Sequence, residues 1–188
     1  MDAAENLQGG FADPARDAAR AFRAIMEAMA RPGTIQTASG ATPPAPLSPA
    51  AGAALLTLCD SDTPLYLAGA VDRSEVRSWI AFHTGAPICQ AGQAMFALGT
   101  WQALAPLSVY PAGTPDYPDR SATLIVELPV LSPEGAVLTG PGIRKEAQLS
   151  LPETAAFQAN RDLFPLGLDF LFTCGDRIAA LPRTTRVR

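Results

Sequence analysis

The chain has 188 residues, a formal net charge of −4, 48 % hydrophobic residues and only 17 % charged ones, against roughly 25 % charged in an average globular domain. That length fits one domain, with a core large enough to stand without a disulfide or metal staple. An acidic chain lacks the basic patch that grips a phosphate backbone, which excludes nucleic acid as the main partner.

Residues 1–12 read as an N-terminal arm. Met1-Asp2-Ala3-Ala4-Glu5 has no basic segment leading into an apolar one, so no signal peptide is expected. Asp13-Pro14 then starts a helix, because Asp caps free amides and Pro is tolerated at the first helical position. Phe22, Ile25, Met26 and Met29 fall at i, i+3, i+4 and i+7 and predict its inward face, with Arg16, Arg20, Arg23 and Glu27 mostly opposite. Arg31-Pro32-Gly33 should end it. A short strand at 34–37 and a proline-rich loop at 38–49 follow. Ser48-Pro49 caps a second helix to about Leu58, and 65–68 reads as a buried strand. A third helix runs from Asp72 or Ser74 to His83, with Gly85 as its stop.

Strands are predicted near Ile88 and at 95–98, 122–128 and 136–139, and a fourth helix at about 152–163 turns Phe157 inward. The chain closes with a hairpin, 168–174 and 177–181, around Gly175-Asp176, and a basic tail at 182–188. Interleaved helices and strands make this a single α/β layered domain over residues 1–188, with a mixed β-sheet flanked by helices. The terminal hairpin and the neighbouring strands at 122–139 both argue for a mixed sheet. No Asp, Glu, Lys or Arg occurs across 32–59 or 78–115. Glycines, prolines and glutamines break up the second gap, so buried strands with an uncharged contact surface account for it better than a membrane span.

The chemistry-bearing residues are few. Cys59, Cys89 and Cys174 are too far apart for the close pairs of zinc or iron–sulfur sites, and the reading is a reduced, cytosolic protein. Lys145 is the sole lysine and sits between Arg144 and Glu146, which suits a solvated surface better than a Schiff base. His83 is the sole histidine, placed where a helix C-terminus would favour it, and no Gly-x-Ser-x-Gly elbow supplies a serine partner. Thr139-Gly140-Pro141-Gly142-Ile143-Arg144 reads as an anion nest or a tight turn. Tyr117-Pro118-Asp119-Arg120-Ser121 groups an acid, a base and a hydroxyl before a strand. In Leu181-Pro182-Arg183-Thr184-Thr185-Arg186-Val187, arginine forks and hydroxyls suit phosphate or carboxylate, and a solvated tail or a docking arm is the plainer alternative.

Taken together, these segments resemble the PhnH subunit family of the bacterial carbon–phosphorus lyase system. The likeness is carried by Gly10-Phe11-Ala12-Asp13-Pro14, by residues 22–33 ending in Ala30-Arg31-Pro32-Gly33, and by Phe82-His83-Thr84-Gly85-Ala86-Pro87. It continues through residues 117–124, Gly140-Pro141-Gly142-Ile143, Phe164-Pro165-Leu166-Gly167-Leu168-Asp169 and residues 181–186. The resemblance implies a fold like that of pyridoxal-phosphate-dependent transferases, without that cofactor and without an iron–sulfur cluster in this chain. It implies a cytoplasmic accessory subunit acting with sister subunits G, I and J, and with G, I and L in forming ribose 1-methylphosphonate 5-triphosphate from ATP and methylphosphonate. The radical cleavage of the carbon–phosphorus bond belongs to the J subunit.

Self-association as a homodimer and a phosphonate or nucleotide ligand are further expectations. The family supplies no catalytic residue to carry over. The candidate ligand or partner contacts are therefore Arg31, His83, Asp119, Arg120, Ser121, Arg183, Thr184 and Arg186, with no metal site. The alternatives are a stand-alone enzyme acting on a phosphorylated metabolite and a purely structural scaffold.

Overall fold

The computed structural model describes residues 7–188. Its elements are, in chain order, α1 (Pro14–Ala30), β1 (Gln36–Thr37), α2 (Pro49–Leu58), β2 (Leu65–Leu67), α3 (Ser74–His83), β3 (Phe96–Thr100), α4 (Trp101–Leu104), β4 (Thr123–Glu127), β5 (Ala136–Thr139), β6 (Ala147–Leu149), α5 (Ala155–Asp162), β7 (Asp169–Cys174), β8 (Arg177–Leu181) and β9 (Arg186–Val187). The main sheet has six strands in the order β1-β8-β7-β4-β3-β2, and β6-β5-β9 form a second sheet. Strands β2, β3, β4 and β7 are parallel, whereas β8 and β1 are antiparallel additions at one side. The mixed α/β sheet is as the sequence predicts.

Three layers bury the sheet on both faces. Ile25, Leu55, Trp79 and Ile80, from α1, α2 and α3, pack on Leu65, Leu98, Ile125 and Leu171. The opposite face carries Leu124, Val126, Phe170 and Phe172 against Trp101, Leu138 and Phe157, from α4, the small sheet and α5. Side chains alternate across a strand, and a strand covered on both faces reads as one apolar run, as in Leu124-Ile125-Val126. The predicted caps hold: the Asp13 carboxylate accepts from the Arg16 amide and the Ser48 hydroxyl from the Ala51 amide. Residues 50–55 of α2 are all buried, so this helix has no solvent face to charge. That accounts for the second part of the first charge-free stretch.

Several expectations need correction. The buried face of α1 is Ala21, Ile25 and Ala28, while Phe22 and Met26 are each 50 % exposed. Small side chains let α1 lie close against the Ala-rich α2, which turns the large apolar residues outward. Strands β4 and β5 are not neighbours; the mixed character comes from the terminal hairpin and β1, and β5 lies in the second sheet. The strand near Ile88 is a single bridge to Leu65. Strands β6 and β9 and the short α4 were not predicted. Residues 182–188, read as a tail, are built into the fold: Thr185 and Val187 are buried, and Val187 pairs with Leu138.

Candidate functional site

A parallel sheet opens at the carboxyl ends of its strands, the usual place for ligands in α/β folds. Here β3 ends at Thr100 and β4 at Glu127, and both residues border a cleft of about 740 Å³. Ser48, Trp101, Gln102, Val130 and Ser150 complete much of its wall. Glu127 is the one ionisable side chain among the described residues that line it. Its Oε1 accepts from the Ser48 amide at 2.7 Å and its Oε2 from the Thr173 hydroxyl at 2.9 Å. Burial pushes the Glu127 carboxyl up, against these hydrogen bonds, which favour the ionised form. The indole of Trp101, one of the wall residues, donates to Glu153 at 3.2 Å.

The Glu127 carboxylate has more lone-pair positions than these bonds occupy, so it can accept from a donor entering the cleft. No Lys, Arg or His belongs to the described lining. The cleft therefore suits an uncharged, hydrogen-bonding ligand or a partner segment better than a phosphate. Sequence reasoning passed over Glu127. Its signal was a lone acid closing the apolar run of β4.

The residues singled out from the sequence lie elsewhere, and only some of them meet. Arg183, Ser121 and the 117–120 loop come together at the amino ends of β4 and β7, across the sheet from the cleft. The Arg183 amide donates to Asp169 Oδ1 at 2.8 Å, its Nε lies 3.2 Å from both Asp169 oxygens, and its Nη1 donates to the Pro118 carbonyl at 2.6 Å. Its Nη2 donates to Ser121 Oγ and Asp169 Oδ2. With side-chain exposures of 13 % and 16 % for Arg183 and Asp169, this guanidinium ties three segments together. Asp119 and Arg120 are exposed, and Arg120 lies over the Tyr117 ring at 4.2 Å.

His83 sits at the end of α3 as predicted. Its ring packs on Trp79 and Phe82, and Nε2 is 2.9 Å from the Leu7 carbonyl. The Trp79 indole donates to the Gln8 carbonyl at 2.9 Å. Gly10 lies so close that a Cβ would fall 2.5 Å from the His83 ring. These contacts fasten residues 7–10 to α3.

Arg31 is exposed and pairs with Glu27 at 2.9 Å. The 139–144 segment forms a tight turn whose Gly142, at φ +79°, would place a Cβ 1.9 Å from the Ala30 carbonyl oxygen. That turn seats the end of α1. The turn at 182–185 is closed by the Thr185 amide on the Pro182 carbonyl, with Thr184 lying against Gly140. Arg186 is exposed at the far side of the small sheet, opposite Thr139.

The cysteines are free, and burial pushes the Cys59 thiol up to about 12 and the Cys89 thiol up as well. Among the described residues no group of three His, Cys, Asp or Glu is placed to hold a metal ion. No helix among them is long and apolar enough to cross a membrane. Lys145 is exposed on the β5–β6 connection and does not line the cleft.

Comparison with known proteins gives a consistent picture. A family model described as bacterial phosphonate metabolism protein (PhnH) matches residues 9–188. A curated protein of Rhizobium meliloti (strain 1021), alpha-D-ribose 1-methylphosphonate 5-triphosphate synthase subunit PhnH, is 42 % identical over 188 residues, covering 95 % of this chain and 94 % of its own length.

Proposed function

We propose that this chain, which belongs to the PhnH family of bacterial phosphonate metabolism proteins, is an accessory subunit of an α-D-ribose 1-methylphosphonate 5-triphosphate synthase. The observation that carries this reading is the 42 % identity to a curated subunit of that synthase across nearly the full length of both chains. The disposition of the polar side chains supports it. Arg183 and His83, two of the candidate contacts, are engaged in holding segments of the fold together.

On this reading the chain assembles in the cytoplasm with sister subunits G, I and J, self-associates as a homodimer, and holds neither pyridoxal phosphate nor an iron–sulfur cluster. The same reading implies a layered sheet that resembles that of a pyridoxal-phosphate-dependent transferase and has lost the cofactor. The exposed position of Lys145, outside the cleft, fits that loss. Phe22, Met26, Phe82 and Val130 are at least half exposed in a charge-poor chain and supply apolar surface for subunit contacts.

The test is native mass spectrometry of the chain alone and after co-expression with the G, I and J subunits. A stable multi-subunit species containing this chain is expected. Assembly of the others without it would overturn the reading and bring forward the stand-alone enzyme.

A further inference from the structure

A second groove, of about 690 Å³, lies between the end of α5 and the β5–β9 pair, away from the Glu127 cleft. Arg161 and Arg186 line it, together with Thr139 and Asp162. No ion pair among the described residues involves either arginine. Arg188, at the same groove, is paired with Glu146 at 2.6 Å. The Arg161 Nε is buried and meets no acceptor. Its guanidinium is steadied by the Phe164 ring, 4.7 Å from the ring centroid. Buried N–H groups in native folds almost always find an acceptor, and a guanidinium hydrogen is among the costliest to leave without one. Because the Nε is itself closed to solvent, the terminal guanidinium nitrogens of Arg161 are the donors that a ligand in the groove would meet.

We propose that this groove is an oxyanion site that takes a phosphoryl or phosphonyl group, with Arg161 and Arg186 as its ligands. Among the side chains that line the groove, two guanidiniums face the single Asp162 carboxylate once the Arg188–Glu146 pair is set aside. A flat carboxylate satisfies a single arginine fork. Two forks on different elements, with the Thr139 hydroxyl beside Arg186 in the β5–β9 register, suit the three oxygens of a tetrahedral group. The stacked, partly buried guanidinium of Arg161 is pre-organised for this role. The site does not depend on the subunit assignment, because its residues belong to this chain alone.

The experiment titrates the full chain, on its own, with inorganic phosphate and separately with methylphosphonate, following arginine side-chain NMR signals and calorimetric heat. Saturable binding of either anion is expected, and the two titrations tell which source fits better. Arg161→Gln and Arg186→Gln should each weaken it about tenfold, the equivalent of one charge-assisted hydrogen bond. Arg23→Gln, on α1, should leave it unchanged. Arg161→Lys, which keeps the charge and loses the fork, serves if Arg161→Gln does not fold, and should bind more weakly than the parent. Absence of saturable binding, or equal binding by the Arg186 variant, would overturn the site. Protection of Arg161 only in the assembled complex would assign the groove to an acidic segment of a partner instead, and would equally overturn it.

Discussion

Removing the Arg183 guanidinium would leave the Asp169 carboxylate, the Pro118 carbonyl and the Ser121 hydroxyl facing one another in a poorly hydrated space. Breaking a buried pair from one side is costly because the remaining charge is stranded. Both partners keep some exposure, so Arg183→Ala should lose about 3 kcal/mol, the lower end of that range. Arg183→Lys, which keeps charge but not the fork, should lose less. Urea unfolding of the three proteins checks this, and equal midpoints for parent and alanine variant would show that the ties contribute nothing.

Glu127 gives a different signature. Folding raises its affinity for a proton, because burial outweighs the bonds from Ser48 and Thr173. For a group whose folded value is raised, the contribution to stability is complete below the unfolded value and declines as pH climbs through the folded one. The decline therefore begins near the ordinary glutamate value of 4.5 and runs upward. Glu127→Gln keeps an acceptor for the Ser48 amide and cannot ionise. Its stability relative to the parent should improve as pH rises above the ordinary glutamate value of 4.5 and level off once the parent's Glu127 is fully ionised, read by denaturant midpoints across that range.

Among the elements, the junction between α1 and the β5–β6 turn is the least tolerant of added volume. Gly142 combines a left-handed backbone with direct contact on the Ala30 carbonyl, so an alanine there is strained twice over. Gly142→Ala should lower the melting temperature by several degrees, the size expected of a loss of about 1–3 kcal/mol. Gly175→Ala is the matched control. Its φ is also positive, at +61°, but nothing lies within 4 Å of its added Cβ, so it should lose less.

Local grammar made much of this scale legible. Asp13-Pro14 and Ser48-Pro49 are caps, Gly85 is a stop, and Gly175-Asp176 is a hairpin turn, each decided by a few neighbouring residues. Strands β6 and β9 escaped because two- and three-residue strands have no period to display and exist only through pairing with β5. The inward face of α1 was misassigned for a related reason. Periodicity reports which residues are apolar, whereas the contact with α2 selects for small ones.

At the scale of the whole molecule, the family was readable because its motifs are scattered along the chain yet meet in the fold. Gly10 meets His83, the Ala30–Gly33 segment meets Gly142, and Arg183 meets Ser121 and Asp169. The candidate cleft was not readable. It is assembled from strand ends that sequence order does not place together, and its central acid looks like the polar terminus of a core strand. Residue types that advertise chemistry drew attention to the amino edge of the sheet, where they serve as ties.

The first helix lies on one of the last strands: α1 packs against β8, and the floor of its buried face includes Ile178 and Ala180. A nascent chain would hold the β8-facing side of α1 uncovered until that strand is made. Contacts so far apart in sequence fold slowly, since a long loop must close before they contribute. Such a chain is exposed to aggregation while it waits. A chain halted before Arg177 would keep β2, β3, β4 and β7 but lack the β8 floor under α1, so the first helix docks fully only once the terminal hairpin has been made.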